Sequence, residues 1–96
     1  FIYVKDVAKA NISAAKSNYT QPVNIATGKK LTINRLYEII ANSLDSDLKP
    51  TYVDKRKGDI THSIANIDKM SKINFKSDYS NFEKQINKTI QWFKEN

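Results

Sequence analysis

The 96-residue sequence contains no cysteine, one histidine, two glycines and two prolines. Without cysteine the chain can form neither a disulfide framework nor a thiolate metal site, and it has no thiol nucleophile. The single histidine, His62, leaves almost nothing from which to build a histidine-ligated zinc site or a Ser-His-Asp triad. Two glycines are too few for a glycine-rich phosphate loop, and neither G-x-G-x-x-G nor a Walker sequence is present. We therefore expect no metal and no nucleotide-binding glycine loop in this chain.

Long apolar runs are also absent, so we expect no membrane-spanning segment and no membrane partner. No basic-then-apolar signal segment opens the sequence, and a cytoplasmic location is the default expectation. Hydrophobic residues make up 40% of the chain and charged residues 27%, which is typical of a folded globular protein rather than a disordered one. A chain of this length forms one domain at most.

The charge is predominantly of one sign, because 16 Lys and Arg face 10 Asp and Glu and give a net charge of +6. A basic surface is typical of nucleic-acid binding, since it releases counterions from phosphates. Only Arg35 and Arg56 are arginines, however, and arginine is the residue that makes bidentate contacts with phosphate and guanine. We predict a solvated lysine surface and no nucleic-acid partner, with a stand-alone basic RNA-binding module as the alternative.

Apolar patterning predicts three short strands, at residues 1–4, 22–26 and 50–53, because these runs are rich in β-branched and aromatic residues. Residues 27–30 are predicted to form a turn in which Gly28 supplies a positive φ. Helices are predicted from residue 6 to about residue 16, from residue 32 to residue 44, over residues 67–72, and from residue 80 onward. The predicted capping residues are Asp6, Thr32, Asn66 or Ser63, and the Ser80 and Glu83 pair of a capping box.

This alternation of elements predicts an α/β fold with about three short strands and three to four helices. Three short strands rarely complete a parallel sheet, which needs helices on both faces. The sequence also opens directly in an apolar run without an initiating methionine. We therefore expect an incomplete fragment whose remaining sheet strands belong to a longer protein.

Candidate chemistry concentrates in residues 56–63, which hold one of the two arginines, one of the two glycines and the only histidine. The guanidinium of Arg56, on a loop after a predicted strand, can bind a diphosphate through two parallel hydrogen bonds. Gly58 lets the backbone turn, and Asp59 can accept hydrogen bonds from sugar or ribose hydroxyls. A surface turn with an Arg–Asp ion pair worth about 0–1 kcal/mol fits the same residues equally well.

Five motifs, in order along the whole chain, resemble the C-terminal substrate-binding part of NAD-dependent epimerase/dehydratase enzymes. These enzymes are extended short-chain dehydrogenase/reductases that act on nucleotide sugars. The motifs are F-I-Y-V-K-D-V-A from residue 1, V-N-I-A-T-G from residue 23, T-I-N-R-L from residue 32, R-K-G-D-I-x-H-S-x-A-N-I-x-K from residue 56 and T-I-x-W-F from residue 89. The fourth motif is the most specific, and its G-D-x-x-H-S-x-A form is most similar to UDP-sugar 4-epimerases.

The resemblance implies that residues 1–96 are the C-terminal, nucleotide-sugar-binding part of an extended Rossmann-type enzyme. The N-terminal NAD-binding Rossmann domain would then lie outside this chain. It also implies that Arg56 binds the diphosphate of a UDP-sugar substrate, that Asp59 hydrogen-bonds the ribose and that Phe1 lies beside the nucleotide. His62 and Ser63 are given a supporting role in the same loop.

The family's catalytic Tyr-x-x-x-Lys pair is not found, because none of the five tyrosines has a lysine four residues later. We therefore expect no catalytic residue, no bound cofactor and no activity in the chain alone. The implied parent is a homodimeric UDP-sugar 4-epimerase, acting on UDP-glucose/galactose or a UDP-N-acetylhexosamine in polysaccharide biosynthesis. Its NAD would oxidise the sugar and then return the hydride to the opposite face. A nucleotide-sugar dehydratase of the same family is the alternative.

Overall fold

The structure is a computed structural model that describes residues 1–96. It contains three α-helices and two 3-10 helices. The α-helices are α1 (Val4–Ala15), α2 (Ile33–Ser43) and α3 (Phe82–Glu95), and the 3-10 helices are Asp68–Ile73 and Tyr79–Asn81. The chain divides into two compact units, the first formed by Phe1–Lys29 with Ile64–Phe82 and the second by Lys30–Ser63 with Glu83–Asn96. None of the helices combines the length and the apolar character that a bilayer crossing requires.

The predicted α/β fold with about three short strands is wrong, because no β-strand forms anywhere in the chain. Residues 1–3 are irregular backbone that leads into α1, and residues 22–26 and 50–53 are also neither strand nor helix. β-branched and aromatic residues favour extended backbone, but a strand exists only where a neighbouring segment pairs with its N–H and C=O groups. No such pairing forms within this chain, and Val4, the last residue of the first predicted strand, is the first residue of α1.

The first unit is built on α1 and the 3-10 helix Asp68–Ile73, which pack against each other. Ala10 is only 1% exposed, so its small side chain lets the two elements approach closely. The buried members of this core are Ala10, Met70, Ile73 and Phe75, and the partly buried residues packed around them are Tyr19, Val23, Ile25 and Ile67. The alanine-rich face of α1 therefore provides one side of the core of this unit.

Helix α1 begins earlier than predicted, and Asp6 is not its N-cap. Tyr3 occupies the N-cap position without a side-chain hydrogen bond, and Asp6 lies in the first turn, where a carboxylate is favourable toward the helix dipole. Asp6 is only 5% exposed, and the backbone amide of Asp78 donates to its Oδ2 at 3.5 Å. The carboxylate is thus used to connect α1 to a distant part of the chain rather than to cap its own helix.

Helix α2 begins where the sequence predicted. The hydroxyl oxygen of Thr32 accepts a hydrogen bond from the Arg35 backbone amide at 3.0 Å, as expected for a helix N-cap. Leu44 is the C-cap, and Asp45 follows with a positive φ of 50°. The short helix begins at Asp68 with Ile67 at the N-cap position and without a side-chain cap, so neither Asn66 nor Ser63 caps it as predicted. Asn66 Oδ1 instead accepts from the Asp68 amide at 2.9 Å, just before the helix.

The predicted capping box at the start of α3 does not form. Ser80 donates its hydroxyl to Asp78 Oδ1 at 2.6 Å, and residues 79–81 form a 3-10 turn before α3 begins at Phe82. Glu83, the predicted partner of Ser80, instead accepts from Arg35 at 3.0 Å. Because the Asp78 carboxylate accepts hydrogen bonds from Ser80 and from the Asn81 side chain, its pKa is lowered below the ordinary value.

Helices α2 and α3 line a groove of about 380 Å³, whose apolar lining residues are Ile40, Leu44, Ile86, Ile90 and Phe93. Two polar contacts accompany it, from Arg35 to Glu83 at 3.0 Å and between Ser43 Oγ and Asn87 Oδ1 at 2.7 Å. The helix period of 3.6 residues places the apolar residues of each of these helices on one face, and this spacing is what predicts the two helices from the sequence.

Candidate functional site

Most of the residues singled out by the sequence lie in one exposed segment of the second unit. Every residue from 47 to 66 is exposed, and none of them belongs to a helix or strand. Within it, the Asp59 amide donates to the Arg56 carbonyl at 3.2 Å, which closes a four-residue turn. Gly58 has a φ of +88°, a left-handed value that favours glycine. The predicted turn is therefore present, and we call residues 56–59 the Gly58 turn.

The side chains of Arg56 and Asp59 contact each other across the Gly58 turn. Arg56 Nε donates to Asp59 Oδ2 at 3.4 Å, and the two side chains are 86% and 43% exposed. An exposed pair at this distance contributes about 0–1 kcal/mol. Because the contact uses Nε, the two terminal amino groups of the guanidinium hydrogen-bond no protein acceptor. These two groups form the planar fork that binds phosphate oxygens in pairs.

Two tyrosine hydroxyls attach the segment that leads to this turn to helix α2. Tyr37 donates to the carbonyl of Leu48, and Tyr52 donates to Asn34 Oδ1 at 3.3 Å. Sequence reasoning did not identify these two attachments. The amphipathic nature of tyrosine, an apolar ring with a polar tip, was the available signal.

Lys55 and Thr61 form a further contact that the sequence did not reveal. Lys55 Nζ donates to Thr61 Oγ1 at 2.6 Å, so this pair flanks the Gly58 turn on both sides. With Arg56 and Lys57, Lys55 makes three successive cations at the turn. Such a run raises the local concentration of anions.

The other predicted site residues are placed as follows. His62 and Ser63 are exposed and continue the same segment, and neither forms a side-chain hydrogen bond within the protein. Phe1 belongs to the first unit and its side chain is 59% exposed. The structure brings Arg56 and Asp59 into contact, and the ligand-binding roles of all five residues stay predictions.

The other glycine turn offers no place for a nucleotide phosphate. Gly28 has a φ of +69°, as predicted, and a Cβ placed there would lie 2.6 Å from Ile67 Cδ1. The space beside this glycine is thus filled by a side chain, whereas a phosphate-binding glycine leaves room for the ligand. No group of three or more His, Asp or Glu side chains is arranged to hold a metal ion. The Gly28 turn therefore does not provide a glycine loop for the phosphates of NAD.

Comparison with known proteins gives matches that extend over the entire chain. It is 31% identical over its full length to a provisionally named UDP-glucose 4-epimerase of Methanocaldococcus jannaschii. It is 30% identical, again over its full length, to UDP-glucuronate 4-epimerase of Thermodesulfobacterium geofontis. The chain spans 31% and 30% of the lengths of these two relatives. No protein-family model matches it.

A solved structure matches the chain in sequence and in backbone. The protein is UDP-N-acetylglucosamine 4-epimerase from Methanobrevibacter ruminantium M1 in complex with UDP-N-acetylmuramic acid. It is 52% identical, with a TM-score of 0.94 over 99% of this chain and 31% of the solved chain. The chain is thus related over its whole length to UDP-sugar 4-epimerases, and the resemblance to the NAD-dependent epimerase/dehydratase family is confirmed.

Proposed function

We propose that this chain is the nucleotide-sugar-binding part of a UDP-sugar 4-epimerase, and that the Gly58 turn binds the diphosphate and ribose of the substrate. The observation that carries the proposal is the exposed guanidinium of Arg56, held through Nε by Asp59 at 3.4 Å with both terminal amino groups unpaired. The 52% identity to a solved enzyme that is in complex with a UDP-sugar supports it.

Arg56 is suited to the diphosphate by charge and by shape. A planar guanidinium donates two parallel hydrogen bonds to phosphate oxygens, and hydrogen bonds to charged groups contribute about 1.5–3 kcal/mol each. The neighbouring Lys55 and Lys57 add positive potential without the same directional geometry. We assign the direct contact to Arg56 for this reason.

Asp59 is suited to the ribose because a carboxylate accepts hydrogen bonds from hydroxyl groups. Its present contact with Arg56 is long and exposed, so exchanging it for a ribose hydroxyl loses little. We further propose that His62 and Ser63 support this loop, and the placement of Phe1 beside the nucleotide stays a prediction.

The proposal assigns residues of this chain to the UDP part of the substrate and none to the sugar. The relatives are named for glucose, glucuronate and N-acetylglucosamine, and all three names share UDP and epimerisation at position 4. Binding energy from a part of the substrate that does not react can hold the molecule while the reacting ring changes. The shared names favour a 4-epimerase over a dehydratase, and either glucose/galactose or N-acetylhexosamine substrates fit.

The remainder of the parent enzyme is proposed to bind NAD and to carry the catalytic residues. Epimerases of this family are generally NAD-dependent, and the Gly28 turn of this chain offers no glycine loop for the cofactor's phosphates. We place NAD in an N-terminal Rossmann domain and propose a homodimeric, cytoplasmic parent. Exposed apolar side chains on the segment of the Gly58 turn support burial against that remainder, since Tyr52, Val53 and Ile60 are 73%, 82% and 79% exposed.

Calorimetric titration of UDP tests the proposal, in the full-length enzyme and in the 96-residue chain. We expect Arg56→Ala to weaken UDP binding by about 10- to 100-fold, which corresponds to the loss of charge-assisted hydrogen bonds. Arg56→Lys should recover only part of this, because lysine lacks the fork. Arg35→Ala is the matched control, since Arg35 is the other arginine and its terminal groups contact Glu38 and Glu83. Equal affinities for the Arg56 and Arg35 variants would contradict the proposal.

A further inference from the structure

The Gly58 turn is closed by two nested side-chain contacts rather than one. The inner contact joins Arg56 Nε to Asp59 Oδ2 at 3.4 Å, and the outer contact joins Lys55 Nζ to Thr61 Oγ1 at 2.6 Å. Gly58 lies between the two contacts. A Cβ added to this glycine would have no neighbouring atom within 4 Å. The turn is therefore open toward solvent and held from its two ends.

The outer contact is the shorter of the two. Its 2.6 Å lies at the short end of the distances for hydrogen bonds from nitrogen to oxygen, whereas 3.4 Å is near the long limit. All of residues 47–66 are exposed, so no buried side chain holds this loop in place. Binding a ligand to a disordered loop costs the conformational entropy of ordering it. A contact that closes the loop beforehand lowers that cost.

We propose that Lys55 and Thr61 are positioning residues that hold the Gly58 turn closed, so that Arg56 presents its terminal amino groups to the substrate diphosphate. The inference rests on the proposed function of Arg56 and adds two residues to it. Thr61 supplies an acceptor and makes no contact with the ligand. Lys55 acts through its hydrogen bond to Thr61, and its charge is secondary.

The test uses UDP titration and steady-state kinetics of the full-length enzyme. Thr61→Val removes the acceptor at nearly constant volume, and we expect UDP affinity to fall by about 3- to 10-fold, as for the loss of one hydrogen bond. KM should rise by a similar factor with kcat unchanged, because the contact serves binding rather than the chemical step. Thr61→Ser keeps the hydroxyl and should restore the wild-type affinity.

Two further variants separate positioning from direct binding. Lys55→Met should cost slightly more than Thr61→Val, because it also removes a charge, and the double variant should cost no more than Lys55→Met alone, because both changes remove the same contact. In an Arg56→Ala background, Thr61→Val should have no further effect, since the contact acts through Arg56. A much larger loss for Lys55→Met than for Thr61→Val, or additive losses, would show that Lys55 binds phosphate itself and would overturn the inference.

Failure of this inference is distinguishable from failure of the proposed function. If Arg56→Ala leaves UDP affinity unchanged, the proposed function is wrong, and the inference is overturned with it. If Arg56→Ala weakens binding and Thr61→Val does not, the turn binds UDP without help from the outer contact, and only the positioning role is overturned.

Discussion

Two turns of this chain place a glycine in left-handed backbone beside lysines, and their surroundings are opposite. Gly28 has a φ of +69°, and a Cβ added to this residue would lie only 2.6 Å from Ile67 Cδ1, so there is no room for it. At Gly58, with a φ of +88°, nothing lies within 4 Å of an added Cβ. The first turn is thus part of a packed unit, and the second leaves space in which a ligand can approach the backbone.

The two arginines differ in the same way. Arg35 uses both terminal amino groups within the protein, toward Glu38 at 3.1 Å and Glu83 at 3.0 Å. Arg56 uses only Nε, toward Asp59 at 3.4 Å. Residue type and charge are identical in the two cases, so what separates a structural group from a candidate ligand-binding group is whether its hydrogen-bonding capacity is already satisfied.

The largest expected effect comes from replacing the two glycines. Gly28→Ala should destabilise the chain by about 2–5 kcal/mol, because left-handed strain costs about 1–2 kcal/mol and displacing Ile67 adds about 1–3 kcal/mol. Gly58→Ala should cost only the strain, about 1–2 kcal/mol. Urea unfolding measures the free energy of unfolding of the two variants. An equal decrease in both would contradict the distinction between a filled turn at Gly28 and an open turn at Gly58.

A double-variant cycle sharpens this result. Ile67→Val removes the Cδ1 atom that a Cβ at residue 28 would meet, so it should lower the cost of Gly28→Ala by about 1 kcal/mol. Gly58→Ala serves as the control, since its cost should be the same in both backgrounds. An unchanged cost of Gly28→Ala in the Ile67→Val background would assign the whole effect to backbone strain.

The arginine pair is expected to show a smaller difference in stability. Arg35→Gln should destabilise the chain by about 0.5–1 kcal/mol, a modest value because the Arg35 side chain is 51% exposed. Arg56→Gln should stay within about 0.5 kcal/mol of the wild type, as for a surface substitution. Thermal unfolding tests both, and a larger loss for Arg56→Gln would mean that the Gly58 turn supports the fold.

The smallest expected effect concerns Asp78, which lines the same cleft as Thr27, Lys29 and Ile67. Hydrogen bonds from Ser80 and then Asn81 lower the pKa of this carboxyl below its ordinary value of 3.8. A lowered folded-state pKa contributes stability above the unfolded-state pKa, and that stability is lost as the pH falls through the folded-state pKa. In the Asp78→Asn variant, the unfolding midpoint should therefore fall less steeply than in the wild type as the pH is lowered.

Ser80→Ala checks the cause of that pH dependence. This substitution removes the hydrogen bond that lowers the pKa of Asp78 most, and it keeps the Asp78 carboxyl group. The dependence of the unfolding midpoint on pH should therefore become weaker at acid pH, but not disappear. A profile identical to the wild type in both variants would show that Asp78 does not contribute to acid stability.

Helix starts were predictable where a polar side chain serves its own helix. Thr32 accepts from the amide three residues further along and was identified from the sequence as the N-cap of α2. Asp6 and Glu83 looked equally suitable, yet they contact Asp78 and Arg35 at distant positions. A carboxylate near a helix start can accept a hydrogen bond either from its own helix or from a donor that is distant in the chain. When it bonds the distant donor, it does not cap the helix.

The candidate site was predictable only in part for a similar reason. The R-x-G-D motif located Arg56 and Asp59, because they lie within one turn of each other. The attachment of Tyr52 to Asn34 and the contact between Lys55 and Thr61 depend on the path of an irregular segment, which local patterns do not specify.

The sequence by itself predicted the presence of the three α-helices and the turns at Gly28 and Gly58, because these depend on neighbours within a few residues. The order of five motifs along the chain gave the family resemblance. Only the tertiary structure decided that the extended segments form no strands, since strand pairing requires a second segment. It also decided that the Gly28 turn is filled by Ile67 and the Gly58 turn is open. Packing brings together residues that are distant in the chain, and that determines which polar groups remain available to a ligand.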